Sequence, residues 1–268
     1  MCGRYAATKD PATLTQEFDA ADETGADAPP PDHNVAPTKD VIAVVERHPR
    51  DEDGAVLAEE PAARRLRVMR WGLVPFWAKN ASVGSKMINT RAETAATKPA
   101  FRKALARHRC LLPADGWFEW QRRPGSGSKA RKQPFFMTSA DGSSLAFAGI
   151  WETWRDPQQP DAAPLVTCSV LTTDAVGSLA EIHDRMPLVL PRSRWGDWLD
   201  PDLAEVSTLL EPPPLELVDT FEVRPVSDKV NYVRNNGPEL LERVEPAVDL
   251  DAQPGADALF DVSTLEAR

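Results

Sequence analysis

The chain has 268 residues, 42% of them hydrophobic, and a formal net charge of −10, the make-up of an ordinary globule of one large domain or two small ones. No apolar run approaches the roughly 18 residues of a membrane helix, and MCGRYAATKD lacks the basic-then-apolar layout of a secretory signal, so a cytoplasmic protein with no membrane partner is expected. Cys2, Cys110 and Cys168 lie far apart with no C-x-x-C pair and no His at zinc-like spacing, which argues against a disulfide framework and a metal site; no cofactor is expected.

Asp10 and Pro11 make an N-cap and first-turn pair that predicts a short helix to about Ala20, after which ADETGADAPPPDH reads as an irregular acidic loop. VIAVVER (41–47) and RLRVMRW (65–71) have strand character and are expected to form a hairpin around a polar excursion. Thr94 to Arg109 places Phe101, Leu105 and His108 on one side and basic residues on the other, which predicts one amphipathic helix. WFEWQRR, PFFMTSA, SLAFAGIWETW and LVTCSVLTT read as four strands, with turns at PGSGSK and Asp141-Gly142. Asp174 to Glu181 and Pro191 to Leu199 read as short helices around a PLVL strand, and a last strand falls near FEVRPVS. No linker divides residues 1–244, so we expect a single α+β domain on a mainly antiparallel, barrel-like β-sheet with peripheral short helices. From residue 245 the chain is acidic and poor in apolar residues, and 245–268 is expected to be a mobile tail.

The net charge hides an asymmetry. Residues 1–69 carry 8 basic against 14 acidic side chains, residues 70–135 carry 14 against 3, and residues 136–268 carry 9 against 24. A basic central third in an acidic chain is the pattern of a localised anion-binding surface, or of a solvated face within a chain kept soluble by acid.

Cys110 and Cys168 sit in apolar stretches and read as buried, inert thiols. Cys2 differs. Removal of Met1 is favoured by a small second residue and would leave a 1,2-aminothiol at the chain start. An α-amine has a pKa of about 7.7 to 8.0 against about 10.4 for Lys, so near neutrality much more of it is nucleophilic. It can form an imine with an aldehyde, and the neighbouring thiol can close that imine to a five-membered thiazolidine. An internal cysteine cannot do this; the plain alternative is a second residue with an idle thiol.

Six segments carry more polar and special residues than packing needs: MCGRYA (1–6), HNVAP (33–37), WGLVPFW (71–77), INTRAET (88–94), ADGWFEW (114–120) and IHDRMPLVL (182–190). Spread in order over residues 1–240, they resemble the SRAP family, the SOS response-associated peptidases. The resemblance implies recognition of abasic sites in single-stranded DNA by a monomer. It also implies a covalent crosslink through the N-terminal cysteine, removal of the protein's own Met1, and AP-lyase activity when the imine is not closed. Residue by residue it implies Cys2 as nucleophile with Asn89, Glu119 and His183 around it. Arg4, Arg91 and Arg185 match phosphate-gripping positions, Trp77 matches an aromatic supporting the bases, and Thr172 falls loosely where a small hydroxyl is placed. At Trp77-Ala78 this chain departs from the two adjacent aromatics common in the family.

The residues themselves support these roles and leave alternatives open. Glu119, between Phe118 and Trp120, points away from both in a strand; buried, it has a raised pKa and can shuttle protons at neutral pH, whereas on an edge strand it merely faces solvent. His183 suits protonation of a sugar ring oxygen, or is a structural hydrogen-bonder. Asn89 can orient an amine or a sugar hydroxyl, or cap a turn. Arg4 is expected to lower the pKa of the neighbouring amine and thiol. Two other functions remain open: a thiol peptidase pairing Cys2 with His183 and acting on other proteins, and a non-covalent single-strand binding module in which Cys2 is idle.

Overall fold

The alternation in VIAVVER and RLRVMRW gives the hairpin expected of it, paired in antiparallel register from Asp40↔Arg70 to Arg47↔Ala63. The computed structural model describes residues 2–121 and 132–245. Its first half contains β1 (Tyr5–Ala7), α1 (Pro11–Phe18), β2 (Ala21–Asp22), β3 (Asp32–Val35), β4 (Asp40–Arg47), β5 (Ala63–Trp71), β6 (Asn89–Arg91), α2 (Ala92–Ala95) and α3 (Arg102–Arg107). The second half contains β7 (Arg109–Ala114), β8 (Gly116–Gln121), β9 (Gln133–Ser139), β10 (Leu145–Trp154), β11 (Leu165–Asp174), β12 (Arg185–Pro187), α4 (Trp195–Leu199), α5 (Leu215–Val218) and β13 (Phe221–Pro225). The PGSGSK turn and residues 246–268 of the expected tail lie outside the described residues.

The strands form two sheets, β13-β9-β8-β1-β3 and β12-β11-β10-β7-β4-β5-β2. Pairing is mainly antiparallel, but β11 runs parallel to β5 and β6, and β2 parallel to β5. The β11–β5 contact, only Thr167↔Arg70 and Cys168↔Trp71, bends the larger sheet back on itself short of a closed barrel.

Strand alternation separates two cores. Val41, Ala43 and Val45 of β4 face the space between the sheets, with Tyr5, Trp71, Cys110, Trp117, Phe147 and Cys168. Val44 faces the other way, against Leu14 and Phe18 of α1, Leu105 of α3 and Trp198 of α4. Phe18 stacks on Trp195 with ring centroids 4.4 Å apart. Trp198 is fully buried and donates from Nε1 to Cys110 O at 2.8 Å, so truncating it to Ala costs about 3–5 kcal/mol.

Asp10 caps α1 as its sequence predicts, accepting from Thr13 N at 2.7 Å. The single helix expected over 94–109 is not found: α2 ends at Ala95, α3 starts at Arg102, and Arg109 already belongs to β7. Pro99 is the physical reason, because it lacks an N–H and disfavours helical backbone at Lys98. The PLVL strand is displaced onto Arg185–Pro187, with Val189 making one bridge to Phe147. No helix of the described residues is long and apolar enough to cross a membrane.

Candidate active site

Tyr5 pairs with Val35 on one side and Trp117 on the other, which draws the chain start into the space between the sheets. Cys2 is consequently fully buried in the inter-sheet core. Asn89 opens β6, which is fixed beside β11 by the Asn89↔Val170 register, and its Nδ2 donates to Cys2 O at 2.5 Å. Its Oδ1 is buried without a hydrogen-bond partner among the described residues.

Glu119 lies in β8 opposite Phe135. Phe118 packs on the outer face of the small sheet with Phe136, while Trp117, two residues before Glu119, packs between the sheets. The strand period therefore turns Glu119 inward. Burial raises its pKa from the ordinary carboxylate value to about 7. Burial, followed by the charge of Glu119, pushes the Cys2 thiol above its usual range, which brings these two groups into one electrostatic neighbourhood.

His183 sits in the turn between the 3-10 segment Gly177–Glu181 and β12. That turn is closed by Ala175 N donating to Asp184 O at 3.0 Å and tied to β8 by Gln121 Nε2 donating to Glu181 O at 2.9 Å. Glu119 feels the charge of Asp184, and both Glu119 and His183 feel Lys132. Arg185 N donates to His183 Nδ1 at 3.0 Å. Burial lowers the His183 pKa, outweighing the exposed Asp184 carboxylate 2.8 Å from Nδ1.

The arginines divide. Arg91 is exposed at the end of β6. Arg4 instead holds the fold together, donating from Nη1 to Asn34 Oδ1 at 2.8 Å and Val230 O at 2.9 Å. Arg4 lowers the Cys2 thiol only through its backbone, since its guanidinium is directed at Asn34, and burial outweighs that effect so that the thiol is raised overall. Arg185 is gripped by Glu93 at 2.8 Å, Asp174 at 2.6 Å and Thr172 O at 2.6 Å, so a phosphate would have to compete with two carboxylates for it. Thr172 is itself buried and serves that network.

Trp77 is 56% exposed and Phe76 beside it 52%. The two form an open aromatic pair that the focus on Trp77-Ala78 missed; Ala78 is buried and accepts from Trp154 Nε1 at 2.7 Å. The signal available in the sequence was two large aromatics directly after Pro75, at the foot of a strand. Their loop is anchored by Gly72 and Gly84. A Cβ on Gly72, whose φ is 128°, would stand 2.7 Å from Gly84 O, and one on Gly84 would stand 2.4 Å from Gly72 O. Glu93 and Asn34 were also missed, because their roles depend on partners distant in sequence.

The profile of the family described as SOS response associated peptidase (SRAP) matches residues 1–233. The abasic site processing protein YoqW of Bacillus subtilis is 35% identical over 245 residues, covering 90% of this chain and 99% of its own. The abasic site processing protein HMCES of Gallus gallus is 28% identical, covering 96% of this chain and 82% of its own. A crystal structure of a Bacteroides thetaiotaomicron protein superposes with a TM-score of 0.72 at 22% identity, covering 91% of this chain and all of that one. On a match that takes in both sheets and every element around Cys2, the chain belongs to the SOS response associated peptidase (SRAP) family.

Proposed function

We propose that this protein processes abasic sites in single-stranded DNA by capturing the sugar aldehyde with Cys2 after Met1 has been removed. The observation that carries the reading is the burial of Cys2 together with Glu119, whose carboxyl titrates near 7, with Asn89 bonded to the Cys2 carbonyl. That its relatives YoqW and HMCES are abasic site processing proteins supports the substrate class.

The chemistry follows from the groups present. His183, neutral at the start, takes the proton of the anomeric hydroxyl and, as the imidazolium so formed, returns one to the sugar ring oxygen as the ring opens to the aldehyde. Glu119 as carboxylate takes a proton from the Cys2 ammonium, and the freed amine attacks the aldehyde carbon to give a carbinolamine. Glu119, now protonated, returns the proton to the departing hydroxyl, which leaves as water and yields the protonated imine. The thiol then adds to the imine carbon, its proton passes to Glu119, again a carboxylate, and the thiazolidine closes. One water is lost and the sulfur stays neutral until attack, so a high thiol pKa matters less than it would for a thiolate nucleophile. Asn89 Oδ1 orients the amine or a sugar hydroxyl, Arg91 meets the phosphate, and Trp77 with Phe76 supports the adjacent bases.

A cysteine peptidase acting on other proteins needs an ionised thiol, and burial with Glu119 alongside works against one here. Removal of the chain's own Met1 is a different demand, one Glu119 and His183 can serve as acid and base. The test mixes Met1-free protein with single-stranded DNA bearing an abasic site and looks for a species stable to a denaturing gel, checked by intact mass. The expected product is protein plus DNA minus one water. Affinity without any adduct would select the non-covalent module, and peptide turnover without DNA would select the peptidase.

A further inference from the structure

Away from Cys2, positive charge gathers where β4 and α3 end. Arg47, Arg50 and Arg107, with His48 and His108, line an open cavity of about 480 Å³ to which Pro201, Asp202 and Ala204 also contribute. Arg64, Arg65 and Arg185 each hold a carboxylate, but among the described residues none of Arg47, Arg50 and Arg107 has one within ion-pair distance. The carboxylate in the lining, Asp202, is engaged by His48 Nε2 at 3.0 Å, and nearby Glu152 lies 3.6 Å from His108 Nδ1.

The arrangement is built rather than incidental. The Arg47 guanidinium lies 4.7 Å over the Trp151 ring, on which His108 also stacks at 4.5 Å. Arg47 Nη1 donates to Arg107 O at 2.9 Å, joining the end of α3 to β4. Burial and the repulsion of Arg50, Arg67 and Arg109 bring Arg47 down to about 10, so it remains charged at neutral pH within a crowd of like charges. In a chain of net charge −10, such uncompensated crowding is relieved by an anion, and guanidinium forks match phosphate oxygens.

The position of the cavity selects the ligand. Lys103, one helical turn before Arg107 on α3, holds its Nζ 4.2 Å over the Phe76 ring, next to exposed Trp77. A stripe therefore runs from the aromatic pair through Lys103 to Arg107 and Arg50. We propose that this cavity is a second phosphate site, taking the backbone of the DNA strand that flanks the lesion beyond Phe76 and Trp77. This rests on the DNA reading above.

The test measures anisotropy of unmodified single strands of about 6 and about 20 nucleotides with the full chain across a range of salt. Arg50→Gln/Arg107→Gln should weaken binding of the longer strand about tenfold at 0.15 M salt and reduce its log–log salt slope by about 1.4, two lost contacts at about 0.7 each. The shorter strand should lose far less, and Arg50→Lys/Arg107→Lys should recover most of the affinity. If the double variant melts early, Arg50→Gln alone serves, since Arg50 is exposed and its guanidinium, among the described residues, donates to Gly54 O alone. Wild-type binding of the longer strand, or an equal loss on both lengths, would overturn the proposal. So would arginine-dependent binding of a nucleoside triphosphate without length-dependent DNA binding, which assigns the cavity to a free phosphate ligand. A length effect that needs these arginines, in a protein that forms no adduct, would sink the cysteine chemistry and leave this site standing; an adduct with no such length effect does the reverse.

Discussion

Glu119→Gln separates the two consequences of burying a carboxyl. The side chain is 3% exposed, and burial holds its pKa near 7 against an ordinary 4.5. The folded protein therefore keeps a proton that the unfolded chain has released between about pH 4.5 and pH 7. Stability must fall as pH rises through that window and level off above it. The gap corresponds to about 3 kcal/mol, an upper bound because water penetration and the unfolded ensemble both soften it. Gln cannot titrate, so urea unfolding of wild type and variant at pH 5, 6, 7 and 8 should give curves that diverge by up to that amount, the variant being relatively more stable at pH 8. Single-turnover adduct formation over the same range should be about 10²- to 10⁴-fold slower in the variant, the usual contribution of a positioned acid–base group. Parallel stability curves would refute burial as the cause of the raised pKa. An unchanged rate and pH profile would refute the proton-transfer role even if the stability curves diverged.

Other substitutions probe the remaining groups. Cys2→Ala should abolish the gel-stable adduct while leaving an imine that borohydride traps, together with strand cleavage by elimination; persistence of the stable species would relocate the nucleophile. Asn34→Ala should cost about 2–3 kcal/mol in chemical denaturation, because this fully buried amide donates to the carbonyls of Val230, Tyr232 and Asn235 and accepts from Arg4. Gly72→Ala should lower the melting temperature, since the new Cβ meets Gly84 O in a backbone conformation that L residues rarely adopt. Glu93→Gln should release Arg185 to DNA and steepen the log–log salt dependence of binding by about 0.7; an unchanged slope would keep Arg185 as a purely structural residue.

The sequence by itself carried local structure and chemistry. The Asp10-Pro11 cap, the two long alternating runs and the turn at Asp141-Gly142 are each set by residues adjacent in the chain, and each forms as read. The alternation around Glu119 was legible for the same reason, but the sequence left open whether the carboxyl turned inward or to solvent, and its burial with a raised pKa was decided by the pairing of β8 inside the sheet. The short strands β1, β3 and β6 were not legible, because three or four residues show no period and exist as strands only through partners far along the chain. What tertiary structure alone decided is how charge is used. Arg4, Arg91 and Arg185 look alike in sequence, yet Asn34 claims the first, solvent the second and two carboxylates the third. A guanidinium's role depends on which acceptors folding brings within about 3 Å, and those acceptors lie up to 226 residues away.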